Sequence, residues 1–311
     1  MRLFLASALL FGLVYGIILI AATLLGYGGN FLIFAIMGLV IVFIQFLAGP
    51  TIVQTTMGVK YVREDEAPEL HQMVNELAMN AGIPKPRIGI SETNVPNAFA
   101  FGRTKKDGRV CVTRGILNIL NKEELKAVLG HELSHINHSD MAITTLVSAV
   151  PIICYAIAIS FMFRGNNRNG AGFIVGILAW IAYFLGQLIV LFISRVREYY
   201  ADQGSIEIGG QPDKLASALY KLVYGASKAP EEEVKDIEAG RAFFLNDISN
   251  AKSDIVELSE LDVDNDGTIS ASELSQLKHK NIKIKTSKKI SELFSTHPDM
   301  LKRIKRLSEY T

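Results

Sequence analysis

Charge is missing from two long stretches of this sequence, and cysteine and tryptophan are scarce throughout. Residues 3–57 contain no Asp, Glu, Lys or Arg, and 142–194 contain only Arg164 and Arg168. The 32 basic and 31 acidic side chains leave a net charge of +1. Total charge therefore points to no acidic partner, and no nucleic-acid partner is expected. The two cysteines, Cys111 in a polar block and Cys154 in an apolar run, offer no disulfide framework and suit a reducing compartment. There are no internal repeats and no low-complexity tracts.

What is present is apolar: 49% of the residues are hydrophobic. Such a distribution belongs to a membrane protein with two polar blocks, not to a soluble domain with a large core. Four spans can be drawn. Leu3–Leu25, at about 1.5 Å per helical residue, can cross a hydrocarbon layer of about 30 Å. Phe31–Ala48 is interrupted only by Gln45 and closed by Gly49-Pro50. Ala142–Phe163 carries Pro151, which spanning helices tolerate with a kink, and Ala171–Ser194 carries Gln187 and Trp180. A signal peptide is the rival reading of the first span. Its length, and a second span so soon after it, favour a retained anchor. Arg2, Lys60, Arg63, Arg195 and Arg197 gather on one face, which predicts cytoplasmic polar blocks in a multi-pass protein of the cell membrane. Arg164 and Arg168 in the second turn are a counter-signal. The expected organisation is a hairpin at 1–57, a polar block at 58–141, a second hairpin at 142–194 and a second polar block at 195–311.

LNILNKEELKAVLGHELSHINHSD reads as one helix running up to the third span. Asn121 suits an N-cap, and Glu124 can close a capping box. Leu125, Val128, Leu129, Leu133 and Ile136 recur at helical spacing and predict a buried stripe. His131 and His135 are four positions apart, so both imidazoles leave one side and can share a zinc ion. Zinc lowers the pKa of a bound water from about 16 to about 7, and Glu132, beside the histidines, can take its proton. An amphipathic helix with two surface histidines is the plainer alternative. The extended metzincin pattern is absent, since His138 and Met141 stand where it needs Gly and His, so a third ligand must come from elsewhere.

SRVREYYADQGS, residues 194–205, follows the fourth span directly. Glu198 and Asp202 share a helix face, and two His plus one Glu is a recognised catalytic zinc set. The chain leaves the first helix, crosses, turns at RGNNRNG and crosses back, which predicts that Glu198 returns to the His135 side. Asp202 would accept a hydrogen bond from a ring nitrogen of a zinc-binding histidine and fix its tautomer. An ordinary charged juxtamembrane helix is the competing reading.

With two leading spans, GHELSHINHSD, two more spans, SRVREYYAD and the late STHPDMLKRIKRL, the chain resembles the HtpX-type membrane zinc metalloproteases along nearly its whole length. The resemblance implies His131, His135 and Glu198 as zinc ligands and Glu132 as general base, and it matches Asp140 and Asp202 to acidic positions of the family pattern. The implied fold is an α+β membrane protein: four transmembrane helices and a gluzincin-like zinc protease domain with a small sheet. The implied activity is endopeptidase cleavage of exposed segments of membrane proteins, as in protein quality control. Membrane CAAX prenyl proteases share the zinc motifs but have more spans. A non-catalytic membrane scaffold that binds zinc and calcium is the alternative from a different class.

Residues 86–117 look like strands around a KKDG turn, with Val110, Val112, Phe99 and Phe101 alternating as in a half-buried sheet. PNAFAFG resembles the family's substrate-binding edge strand, which makes Asn97, Ala98 and Phe99 the expected substrate contacts. His297, in HPDMLKRI, resembles the family's late His-Pro motif and would donate a hydrogen bond to the oxyanion of the reaction. Arg303 is expected to serve packing or a salt bridge. The acidic stretch DVDNDGTISASE, residues 262–273, is not explained by proteolysis. It satisfies the calcium-loop pattern in full, with Asp262, Asp264, Asp266, the Thr268 carbonyl, Ser270 and Glu273 as ligands in an EF-hand-like insertion at about 253–280. An acidic solvated turn is the alternative.

Overall fold

The uncharged runs fold as helices. The computed structural model describes residues 31–162, 171–228, 251–280 and 286–311. The expected span Leu3–Leu25 and the turn RGNNRNG lie outside the described residues. Helices α1 (Phe31–Thr56), α5 (Asp140–Met162) and α6 (Ala171–Glu207) contain three segments long and apolar enough to cross a membrane. Leu146, Phe173 and Trp180 are more than half exposed on them, which suits hydrocarbon and not water. Helix α1 continues through Gly49 and Pro50 to Thr56, past the stop expected at that dipeptide. A proline removes only one hydrogen bond from such a helix, a loss that spanning helices tolerate.

The described residues divide into two compact units, one within 1–48 and 142–193, the other within 49–141 and 194–311. In the first unit α5 and α6 approach closely where Gly186 faces Pro151: a Cβ on Gly186 would stand 3.3 Å from the proline ring. Tyr155 and Tyr183 meet nearby in a tilted arrangement with ring centroids 5.5 Å apart.

The second unit is built on a four-stranded sheet in the order β1-β2-β4-β3. Strand β1 is Lys60–Tyr61, β2 Arg87–Ser91, β3 Ala98–Phe101 and β4 Arg109–Thr113. β4 runs parallel to β2 and antiparallel to β3, which leaves β3 at an edge. The expected half-buried alternation fails in β4, where every residue is buried. β4 is flanked by β2 and β3, and even Arg109 is accommodated, through an ion pair with Asp107 at 2.9 Å.

Helices α2 (Pro68–Asn80), α3 (Arg114–Ile119), α4 (Lys122–Asn137) and α7 (Pro212–Lys228) pack around this sheet and on one another. Helix α4 starts at the expected Asn121–Glu124 capping box, and all five residues of its predicted stripe are buried. It does not continue into the membrane segment. The backbone turns at Ser139, with φ at 58°, and Asp140 opens a new helix. Nor does it reach back to Leu117, because the chain is extended at Leu120 between α3 and α4. The C-terminal part adds α8 (Ala251–Leu258), α9 (Ala271–His279), α10 (Thr286–Glu292) and α11 (Met300–Leu307).

Candidate metal centre

Small residues bring the two motif-bearing helices together. Gly130 on α4 faces Ser205 on α6, and Gly204 on α6 faces Ser134 on α4. A Cβ on Gly204 would fall 2.1 Å from Ser134 Oγ, and one on Gly130 would fall 2.8 Å from Ser205 Oγ. Ser205 Oγ also donates to the Ala127 carbonyl at 2.6 Å. Only backbones this close allow side chains four positions apart on each helix to converge on a common point.

The convergence is tight. His131 Nε2 and His135 Nε2 are 3.1 Å apart, and each lies 3.6 Å from an oxygen of Glu198. The other ring nitrogens are held by carboxylates: His131 Nδ1 lies 2.9 Å from Asp202 Oδ1, and His135 Nδ1 lies 2.5 Å from Asp140 Oδ2. The turn at Ser139 folds Asp140 back onto the histidine before it. Arg197 completes that side at 3.1 Å from Asp140. With both Nδ1 atoms occupied, both Nε2 atoms are aimed inward as metal donors.

Arg303, on α11, has a larger part than the sequence suggested. Fully buried, it bonds Asp202 through Nε at 2.9 Å and through Nη2 at 2.6 Å. Its Nη1 lies 3.3 Å from Glu198 Oε2. Burial opposes the guanidinium charge, but Asp202 and Glu198 outweigh that and push its pKa upward. Burial also opposes charge on His131. Hydrogen bonds to Asp202 and Glu198 reverse the effect and raise the imidazole to about 9.

Glu132 is 3% exposed, and burial raises its carboxyl above the ordinary range against the pull of His131, His135 and the Ala100 N–H that donates to it. That N–H belongs to the edge strand. Asn97 pairs toward β4, its carbonyl accepting from Thr113 N at 2.9 Å, so by alternation the backbones of Ala98 and Ala100 face away from β4. The side chains of Asn97, Ala98 and Phe99 are buried, so contact with a substrate there would be through the main chain. His297 also reaches Glu198, with Nδ1 3.3 Å from Oε2.

Residues 262–273 form a separate acidic loop between α8 and α9. Asp262, Asp264 and Glu273 each offer an oxygen to one small group. Asp262 accepts from the N–H of Asp266 and of Gly267, each at 3.0 Å, and from Tyr220 Oη at 3.2 Å. Asp266 accepts from Thr268 N at 2.7 Å. Glu273 closes a capping box with Ser270 at the start of α9.

His131, His135 and Glu198 could hold a metal ion. The charge around them fits one. Four buried carboxylates (Glu132, Asp140, Glu198 and Asp202) face two guanidinium groups, Arg197 and Arg303. With both histidines deprotonated, as binding a metal through Nε2 requires, the deficit equals one divalent cation, and the two-nitrogen, one-carboxylate donor set suits zinc.

Comparison with known proteins agrees with this site. The family model for peptidase family M48 matches residues 64–311. The protease HtpX homolog of Methanothermobacter thermautotrophicus is 65% identical over 223 residues, 72% of this chain and 85% of that protein. The protease HtpX homolog of Persephonella marina is 33% identical over 97% of this chain and 96% of its own length. Among solved structures, the crystal structure of S. mikatae Ste24p aligns with a TM-score of 0.55 at 15% identity, over 98% of this chain and 64% of that one. That likeness is one of fold. A metal-competent cluster, helices apolar enough to cross a membrane and the match of most of the chain lead to one conclusion: it belongs to peptidase family M48, as a membrane metalloprotease of the HtpX type.

Proposed function

We propose that the chain is a zinc-dependent endopeptidase of four transmembrane helices that cleaves exposed segments of membrane proteins in quality control, with its polar blocks in the cytoplasm at the plasma membrane. The convergence of His131, His135 and Glu198 beside Glu132 and the edge strand carries this reading. These three residues would hold the zinc, whose chemistry is Lewis acidity toward water and a peptide carbonyl. Asp140 and Asp202 keep the two imidazoles in the tautomer that leaves Nε2 unprotonated. An extended substrate would lie along β3 and pair with the outward backbone at Ala98. Glu132 would take a proton from the attacking water and deliver it to the leaving amine. His297 would donate a hydrogen bond to the oxyanion that develops on the scissile carbonyl. The deciding comparison is Glu132→Gln against wild type in detergent, followed by metal analysis and by self-cleavage after zinc addition. The expected result is unchanged zinc with cleavage lost; wild-type turnover by the variant would refute the assignment.

We also propose calcium for the 262–273 loop, with Asp262, Asp264, Asp266, the Thr268 carbonyl, Ser270 and Glu273 as ligands. The complete loop pattern and the grouping of Asp262, Asp264 and Glu273 support it. A calcium titration of thermal stability should shift wild type and leave Asp262→Ala/Glu273→Ala unmoved. Equal curves for both proteins would remove the site.

A further inference from the structure

Helix α6 carries three buried side chains at helical spacing, Arg195, Glu198 and Asp202. Each meets a different part of the C-terminal segment. Asp202 holds Arg303, and Glu198 faces His297. Arg195 Nη1 lies within hydrogen-bond distance of three main-chain carbonyls: Glu292 at 2.8 Å, Ser295 at 2.9 Å and Leu293 at 3.3 Å.

Those carbonyls lie at and just beyond the end of α10, where a helix leaves backbone acceptors without intrahelical donors. One guanidinium serves all three. The segment it grips leads directly to His297: Ser295, whose carbonyl bonds Arg195, accepts the His297 N–H on its Oγ at 3.2 Å. From there the chain passes to Asp299, which caps α11 through Leu301 N at 3.0 Å. His297 thus sits on a short connection held at one end by Arg195 and at the other by the Arg303 helix. The sequence alone gave Arg195 no role beyond a juxtamembrane charge.

We infer that Arg195 is a positioning residue, anchoring residues 292–295 so that the His297 ring is set against Glu198. The catalytic meaning of this anchor rests on the proposed role of His297; the anchoring itself does not. Arg195 touches none of His131, His135 and Glu198 among the contacts described above, so its loss should leave the metal in place.

The test separates the two ideas. Zinc-loaded wild type and Arg195→Gln are treated with diethyl pyrocarbonate, and modification of His297 is followed by peptide mass spectrometry. Release of the anchor should speed His297 modification severalfold with zinc content unchanged. In parallel, kcat and KM are measured for Arg195→Gln, His297→Ala and the double variant. Misplacement of the donor should lower kcat by about 100-fold, more than it changes KM. In the His297→Ala background the same Arg195 substitution should cost no more than about twofold, because its target is already gone. An unchanged His297 modification rate, or loss of zinc in Arg195→Gln, overturns the anchor. If His297→Ala keeps wild-type kcat, the oxyanion role falls, and the modification rates alone then decide the anchor. Should Arg195→Gln fail to fold, Arg195→Lys supports the same comparison, since a single ammonium lacks the planar reach of the guanidinium.

Discussion

Arg303 and Asp202 are 101 positions apart in sequence and joined by two hydrogen bonds inside the protein. Removing one partner leaves a buried charge unmatched, which typically costs about 3–5 kcal/mol. Arg303→Met should therefore lower the melting temperature markedly, and Asp202→Asn/Arg303→Met should recover part of the loss, as a double-variant melting series would show. The salt bridge expected of Arg303 is there, but nothing local in LKRIKRL names its partner; a contact so distant in the chain exists only once the helices have packed. The two histidines of the metal-competent group were legible for the opposite reason. His131 and His135 announce themselves by residue type and by a spacing that one helix turns into a shared face. A different residue-scale prediction concerns Cys111. Burial pushes its thiol up to about 12, so no thiolate forms near neutral pH, and the side chain is fully covered. Maleimide should not label Cys111 in the folded protein and should label it after denaturation.

Among the elements, the pairing of α4 with α6 depends on glycine and serine where larger residues would be expected in a core. Gly204→Val would drive a branched side chain into Ser134 and separate the helices that carry His131, His135 and Glu198. The expected outcome is at least about a tenfold loss of zinc affinity by chelator competition, with the sheet signal in circular dichroism retained. Helix existence was readable here, since capping and periodicity are local. The junction at Ser139 was not: serine is no strong breaker, and its left-handed backbone accompanies a contact between Asp140 and His135 that exists only in the folded chain. The continuous burial of β4 was hidden for a similar reason. Arg109 and Thr113 look like solvent-facing residues until Asp107 and the cap of α3 account for them.

At the scale of the whole molecule, a metal held by His131, His135 and Glu198 would add to the folding energy of the second unit. A ligand present at about 100 times its Kd stabilises the native state by about 2.7 kcal/mol, so removing zinc with a chelator should lower the melting temperature of wild type and leave Glu198→Ala unmoved. The orientation has its own test. Lys105→Cys, at an exposed position in the second unit, should resist an impermeant thiol reagent in intact cells and react once the cells are opened. The charge pattern that motivates this expectation is local to the sequence, with Arg164 and Arg168 against it, because topology follows Lys and Arg near span ends with little regard to fold. Finally, the pairing of Asp202 with Arg303 sets a clock on the protein's own manufacture. At typical elongation rates of about 5–20 residues per second, the 101 positions between them take about 5–20 s to synthesise. During that interval the nascent chain already has His131, Glu132, His135 and Glu198 but lacks the counter-charge that Asp202 and Glu198 meet in the folded protein, so the complete centre cannot assemble before α11 has been synthesised.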